Sequence, residues 1–132
     1  MSKTKTRISK VGTVVVPVTD QERALEFHIE TLGFEKRIDV SVDNQYRWVE
    51  VAPAADAVTT LAIVPPPPGS PAGNADTGIA LNTDDIDGDH ADLKAAGVDV
   101  DPEVSRMGAP VPAMFWFRDP DGNKLLIVEE SN

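Results

Sequence analysis

The chain has 132 residues, 41% of them hydrophobic, enough to bury a core, which excludes a disordered polar chain. Its 12 basic and 22 acidic residues give a formal charge of -10 and a pI near 4.5, a field that repels a nucleic-acid backbone over most of the surface. No cysteine is present, so disulfide frameworks, thiol nucleophiles, zinc knuckles and iron–sulfur clusters are excluded together. Only two histidines remain for metal or acid–base chemistry. No stretch is long enough to cross a bilayer, and the basic opening MSKTKTRISK is followed by no apolar h-region. The expected location is cytoplasmic, with no membrane and no nucleic-acid partner.

The β-branched run TVVVPV (13–18) predicts a buried strand, and Thr19-Asp20 reads as a helix cap. From Gln21 to Leu32, Ala24, Leu25, Phe27, His28 and Leu32 recur at helical spacing, and Gly33 is placed to end the helix. Segments 35–42, 45–51 and 58–64 predict three strands, with Pro53-Ala54-Ala55-Asp56 as a turn between the last two. The proline-rich stretch from Pro65 through Gly73 cannot continue a sheet ladder and reads as a stiff, exposed connector. A strand at 78–83 follows. Asp84-Asp85 caps a helix over 86–96, which Gly97 ends, and strands are predicted near 98–104, 111–117 and 124–129. Asp119-Pro120-Asp121-Gly122-Asn123 is the tight turn of the last hairpin.

The second half repeats the first. Asp20 and Asp85 are 65 apart, Gly33 and Gly97 are 64 apart, and LAIV (61–64) matches LLIV (125–128) at 64. The expected class is α+β, with two βαβββ modules forming a curved mixed sheet around a cavity, helices outside and a concave face inside. The expected boundaries are one domain over 1–132, a first module over 10–64, a connector over 65–76 and a second module over 77–130.

Over nearly its whole length the chain resembles the vicinal oxygen chelate superfamily, which includes glyoxalase I, bleomycin-resistance proteins, fosfomycin-resistance enzymes and extradiol dioxygenases. The stretches that carry the resemblance are VVVPVTDQERALEFHIETLGF (14–34), IALNTDDIDGDHADLKAAGVDV (79–100) and FWFRDPDGNKLLIVE (115–129). It implies the glyoxalase/bleomycin-resistance fold, a cavity between sheets and a homodimer, but no single activity, because the fold hosts several chemistries. In metal-dependent members it implies ligands from the first and last strand of each module. Those positions fall on Thr13, Ala62, Gly78 and Leu126, none of which offers more than a weak hydroxyl donor. The expectation is therefore no metal and no cofactor. His28 and His90 both lie on helix faces packed against their sheets, so a packing role is expected rather than a ligand role.

Strand alternation assigns the remaining faces. Val14, Val16 and Val18 turn to the helix, leaving Thr13, Val15 and Pro17 inward. A five-residue loop from Asp119 to Asn123 sets Arg118 opposite Lys124, Phe117 opposite Leu125 and Trp116 opposite Leu126, and directly opposed residues share a face. Met114, Trp116, Leu126 and Val128 then face the cavity, while Phe115, Phe117, Leu125 and Ile127 pack under the helix. The repeat places Trp48 where Met114 stands and Glu50 where Trp116 stands, with Val15, Ala62, Val64, Gly78 and Ala80 as apolar lining and Asn82 as a polar edge. A bulge of one residue would turn Glu50 outward, and both tryptophans fit a core or dimer interface as well. Segment 105–110 is a candidate rim, with Arg106 as an anion contact.

Two indoles, one carboxylate and apolar walls suit an aromatic or cationic small molecule, so the expected function is metal-free binding of the bleomycin-resistance kind. Alternatives are a glyoxalase-like lyase, isomerase or dioxygenase with unconventional metal ligands, a metal-free catalyst with Glu50 as general base, and a module that only dimerises or docks.

Overall fold

Valine- and isoleucine-rich runs form the strands of the computed structural model, which describes residues 5–43 and 46–130. Residues 1–4 of the basic opening, and residue 45 of the strand predicted over 45–51, lie outside the described residues. The first module consists of β1 (Thr13–Pro17), α1 (Gln21–Glu26, continued by a π-helical turn over Phe27–Thr31), β2 (Glu35–Val42), β3 (Tyr46–Ala52) and β4 (Thr60–Val64). The second has β5 (Asp76–Thr83), α2 (Ile86–Ala95), β6 (Asp99–Val100), β7 (Met114–Arg118) and β8 (Lys124–Glu129). Each helix starts at the expected aspartate: the Asp20 carboxylate accepts from the Arg23 N–H at 3.1 Å and the Asp85 carboxylate from the Gly88 N–H at 3.0 Å. Gly33 and Gly97, at φ of 78° and 84°, follow the two helices.

The strands form two four-stranded mixed sheets of identical order, β1-β4-β3-β2 and β5-β8-β7-β6, each with one parallel pair, β1 with β4 and β5 with β8. The α+β class and the paired βαβββ modules are thus as the repeat predicts. Two details differ. The strands divide into two sheets rather than one, and the helix-bearing sides share a single apolar core that includes Val16, Leu25, Phe27, Val49 and Ile63 from one module and Ile86, Leu93, Phe115, Phe117 and Leu125 from the other. Phe27 reaches across to Phe117 with ring centroids 6.2 Å apart, so the first helix also covers the second sheet. A π-helical turn begins at Phe27. Leu32 N–H donates to the Phe27 carbonyl at 3.0 Å, and the widened turn lets consecutive side chains, Phe27 and His28, both point inward. The strand predicted over 98–104 shortens to Asp99–Val100, with one further bridge between Ser105 and Met114. Pro102 explains the break, since it has no N–H to donate to a ladder. No described helix is long and apolar enough to cross a membrane.

The β7–β8 loop ties the modules together. Buried Asn123 donates from Nδ2 to the Pro17 carbonyl at 2.9 Å and to Asp119 Oδ2 at 3.0 Å, and its Oδ1 accepts from the Ala75 N–H at 3.1 Å. One side chain thus joins the end of β1, the start of β5 and its own turn. Asn123→Ala leaves several of these groups buried without partners, so it should lower stability by about 2–4 kcal/mol, read as a fall in the urea midpoint at constant slope.

Candidate ligand-binding faces

Each sheet has one face under the helices and one open face. In the first sheet, Val15 pairs with Ala62, Ala62 with Glu50, and Glu50 with Ile38, so these four form a row across the strands. The next row includes Val40 opposite Trp48, and Val42 opposite Tyr46 follows. Their neighbours Val16, Val49, Val51 and Ile63 are buried against the core. On the open face Val15, Val40 and Val42 are each about half exposed, at 52%, 51% and 52%, whereas Ala62 is fully covered and forms the floor. Tyr46 and Trp48 lie with ring centroids 6.4 Å apart.

A connected line of polar groups crosses this apolar face. Trp48 Nε1–H donates to Glu50 Oε2 at 2.6 Å, Thr60 Oγ1 donates to Glu50 Oε1 at 2.6 Å, and Thr13 and Thr60 hydroxyls lie 3.1 Å apart. Glu50 therefore shares a face with Trp48 and Ala62, the parity expected without a shift. The register does slip in β2, between Lys36 and Ile38, and leaves β3 in phase. Sequence reasoning missed Thr60, which faces the same way as Ala62 and Val64 on β4. It also missed Ile38, Val40 and Val42, whose period-two spacing was the available signal.

On the second sheet Ala80, Leu126 and Trp116 form one row and Asn82, Val128 and Met114 the next. Arg118 stands opposite Lys124 and Phe117 opposite Leu125, the register set by the five-residue loop. Lys124 Nζ sits 4.8 Å from the Trp116 ring centroid, so one ring face already holds a cation. Gly78 has φ of 71° beside a register shift between Asp76 and Ala80, a backbone state that favours glycine.

The expected site residues therefore fall into two groups, Thr13, Val15, Trp48, Glu50 and Ala62 on one open face, and Gly78, Met114, Trp116 and Leu126 on the other. The two faces belong to different sheets. Gly78, Ala80 and Asn82 border a cavity of about 900 Å³ with Val14, Val58 and Leu61, while Asn82 and Val128 border one of about 750 Å³ with Ala109 and Pro110. Arg106, expected at a rim as an anion contact, is instead 2.8 Å from Asp87 in an exposed ion pair. At the four positions where metal-dependent relatives are expected to hold an ion, the side chains offer one hydroxyl, that of Thr13. Among the described residues no three His, Cys, Asp or Glu side chains converge as a metal site.

Residues 10–127 match the model of the Glyoxalase/Bleomycin resistance protein/Dioxygenase superfamily. Uncharacterized protein YetH of Bacillus subtilis (strain 168) is 33% identical over 92% of this chain and 99% of its own length. The crystal structure of TnmS3, an antibiotic binding protein from Streptomyces sp. CB03234, superposes with a TM-score of 0.81 at 38% identity, covering 96% of this chain and 100% of TnmS3. A member of the same superfamily from Sphaerobacter thermophilus DSM 20745 gives 0.84 at 38% identity, over 93% and 98% of the two chains.

The two histidines lie away from both open faces. His90 Nε2 is 2.7 Å from the Asp101 carbonyl, and its ring meets Phe115 edge-on at 4.9 Å. His28 is fully buried against Phe27 and Phe34, with Nδ1 2.8 Å from the Ala24 carbonyl and Nε2 without a partner. Burial holds its pKa below the ordinary histidine range, against smaller opposing effects of the Ala24 carbonyl and the Asp119 charge. The neutral ring is therefore the folded form. Below the ordinary histidine pKa the unfolded chain binds a proton that the folded chain does not, so stability is full above about pH 6.5 and falls as pH drops. In urea titrations between pH 7 and 5 this slope should be present in the wild type and flattened in His28→Leu.

Proposed function

The chain belongs to the Glyoxalase/Bleomycin resistance protein/Dioxygenase superfamily, and from that membership we propose that it binds a small aromatic or cationic organic compound without using a metal ion. One observation carries this reading: Trp48 is hydrogen-bonded to Glu50 on an open, largely apolar face. An indole face attracts a cation by roughly 0.5–2 kcal/mol, and the carboxylate beside it supplies the counter-charge. The acidic surface raises the local concentration of such a ligand at low salt. A divalent ion does not fit the donors at Thr13, Ala62, Gly78 and Leu126, since a metal centre needs about three nitrogen or carboxylate ligands. That TnmS3 is an antibiotic binding protein supports binding as the use of this fold here. Catalysis by Glu50 would need a second acid–base or electrophilic group, and among the described residues its side-chain hydrogen-bond partners are the Trp48 indole and the Thr60 hydroxyl.

We assign ligand contacts to Thr13, Val15, Trp48 and Glu50 above the Ala62 floor, and to Gly78, Met114, Trp116 and Leu126 on the second sheet. The working unit is a homodimer in the cytosol.

Tryptophan emission should be quenched saturably by an N-methylquinolinium salt, and Trp48→Ala should weaken the effect at least tenfold. Linear, non-saturating quenching in both proteins would count against a binding site. Stoichiometric nickel, zinc, iron or manganese in protein purified without chelator would end the metal-free reading. Sedimentation should give about twice the 14.2 kDa chain mass, and a single-chain mass would overturn the homodimer.

A further inference from the structure

Resting on the binding reading above, we propose that the open face of the first sheet selects ligands that donate hydrogen bonds, an aromatic phenol or amine, over ligands that only accept them. The selection comes from the direction of the protons in the line Thr13–Thr60–Glu50–Trp48.

The direction follows from counting protons. Glu50, as a carboxylate, only accepts, and an indole N–H only donates. Trp48 Nε1–H therefore points to Oε2, at 2.6 Å. Thr60 has a single hydroxyl proton, and the 2.6 Å contact with Glu50 Oε1 commits it there. In the 3.1 Å contact between the two threonines, Thr60 can then only accept, so Thr13 is the donor. Every proton in the line points toward Glu50. What remains for a ligand is the unused lone pairs of Glu50, since each carboxylate oxygen has about two acceptor sites, and the lone pairs of exposed Thr13 Oγ1.

The surroundings preserve this polarity. Val15, Pro17, Ile38, Val40, Ala62 and Val64 offer no side-chain donor. The exposed Tyr46 hydroxyl, further along β3, can donate or accept and does not decide it. A ligand with an O–H or N–H over Trp48 completes the acceptor line. One presenting only oxygen lone pairs sets acceptor against acceptor, and a carboxylate adds like-charge repulsion. Sites built to pair one hydrogen-bonding group reject analogues lacking it far more strongly than apolar sites reject a changed methylene. Where a metal ion would offer an acceptor-seeking centre, this line offers the opposite sense.

The test is equilibrium dialysis of the full chain against three probes with one ring system: 2-naphthol, 2-methoxynaphthalene and 2-naphthoate. The naphthol should bind about tenfold or more tightly than its methyl ether, with the naphthoate weakest. In Thr60→Val the Thr13 proton loses its acceptor and can turn outward, so the gap between naphthol and ether should close to within about threefold; Thr60→Ser should restore it. Glu50→Gln adds an amide donor at nearly constant volume and should also narrow the gap, giving a second readout should Thr60→Val fail to fold. Equal affinity for all three probes, or tightest binding of the naphthoate, overturns donor selection while leaving aromatic binding in place. A gap unchanged in the variants overturns the assignment to this line. No binding of any probe to the wild type overturns the aromatic-binding reading, and this inference with it.

Discussion

Side chains along a strand point alternately to opposite faces, and both candidate surfaces of this protein depend on that rule being kept across four strands at once. In the first sheet the row Val15, Ala62, Glu50 and Ile38 stays in phase from β1 to β2, so every second residue feeds the helix-side core and the others form a continuous open face. The slip between Lys36 and Ile38 lies near the start of β2, where it does not disturb the pairing of Val40 with Trp48. One slip in β3 instead would exchange Trp48 and Glu50 for Val49 and Val51, placing an acid in the core.

A carboxylate is tolerated among valines because each of its oxygens has a donor. Each oxygen of Glu50 receives one strong donor, from Trp48 and from Thr60, and removing either would leave part of a charged group without compensation. The same logic holds at the junction of the modules, where Asn123 and Asp119 are buried yet hydrogen-bonded, and Asn123 ties together backbone segments far apart in sequence. Polar groups at both places fix geometry that apolar packing alone leaves loose.

Much of this was legible in the sequence because it is local or periodic. The offsets between Asp20 and Asp85 and between Gly33 and Gly97 mark equivalent helix ends, and the loop length from Asp119 to Asn123 determines which residues of β7 and β8 face each other. Less legible was whatever depends on how the two halves meet. The contact of Phe27 with Phe117 is made from a π-helical turn that apolar spacing does not distinguish from an ordinary helix. Thr60 escaped notice because a threonine in a β-branched run looks like strand propensity, and its role is visible only beside Glu50. Arg106 looked free because its partner Asp87 lies 19 residues earlier, on α2.

The two modules are unequal in one respect. At the start of β1 stands Thr13, with ordinary extended backbone available to any side chain, whereas its counterpart Gly78 has a left-handed φ beside a bulge. An added Cβ there meets no neighbour, so space is not the obstacle; the backbone itself disfavours most L-residues, by roughly 1 kcal/mol. A new side chain at position 13 therefore meets no backbone penalty, whereas one at position 78 carries it, and the two equivalent strand starts differ in their tolerance of substitution.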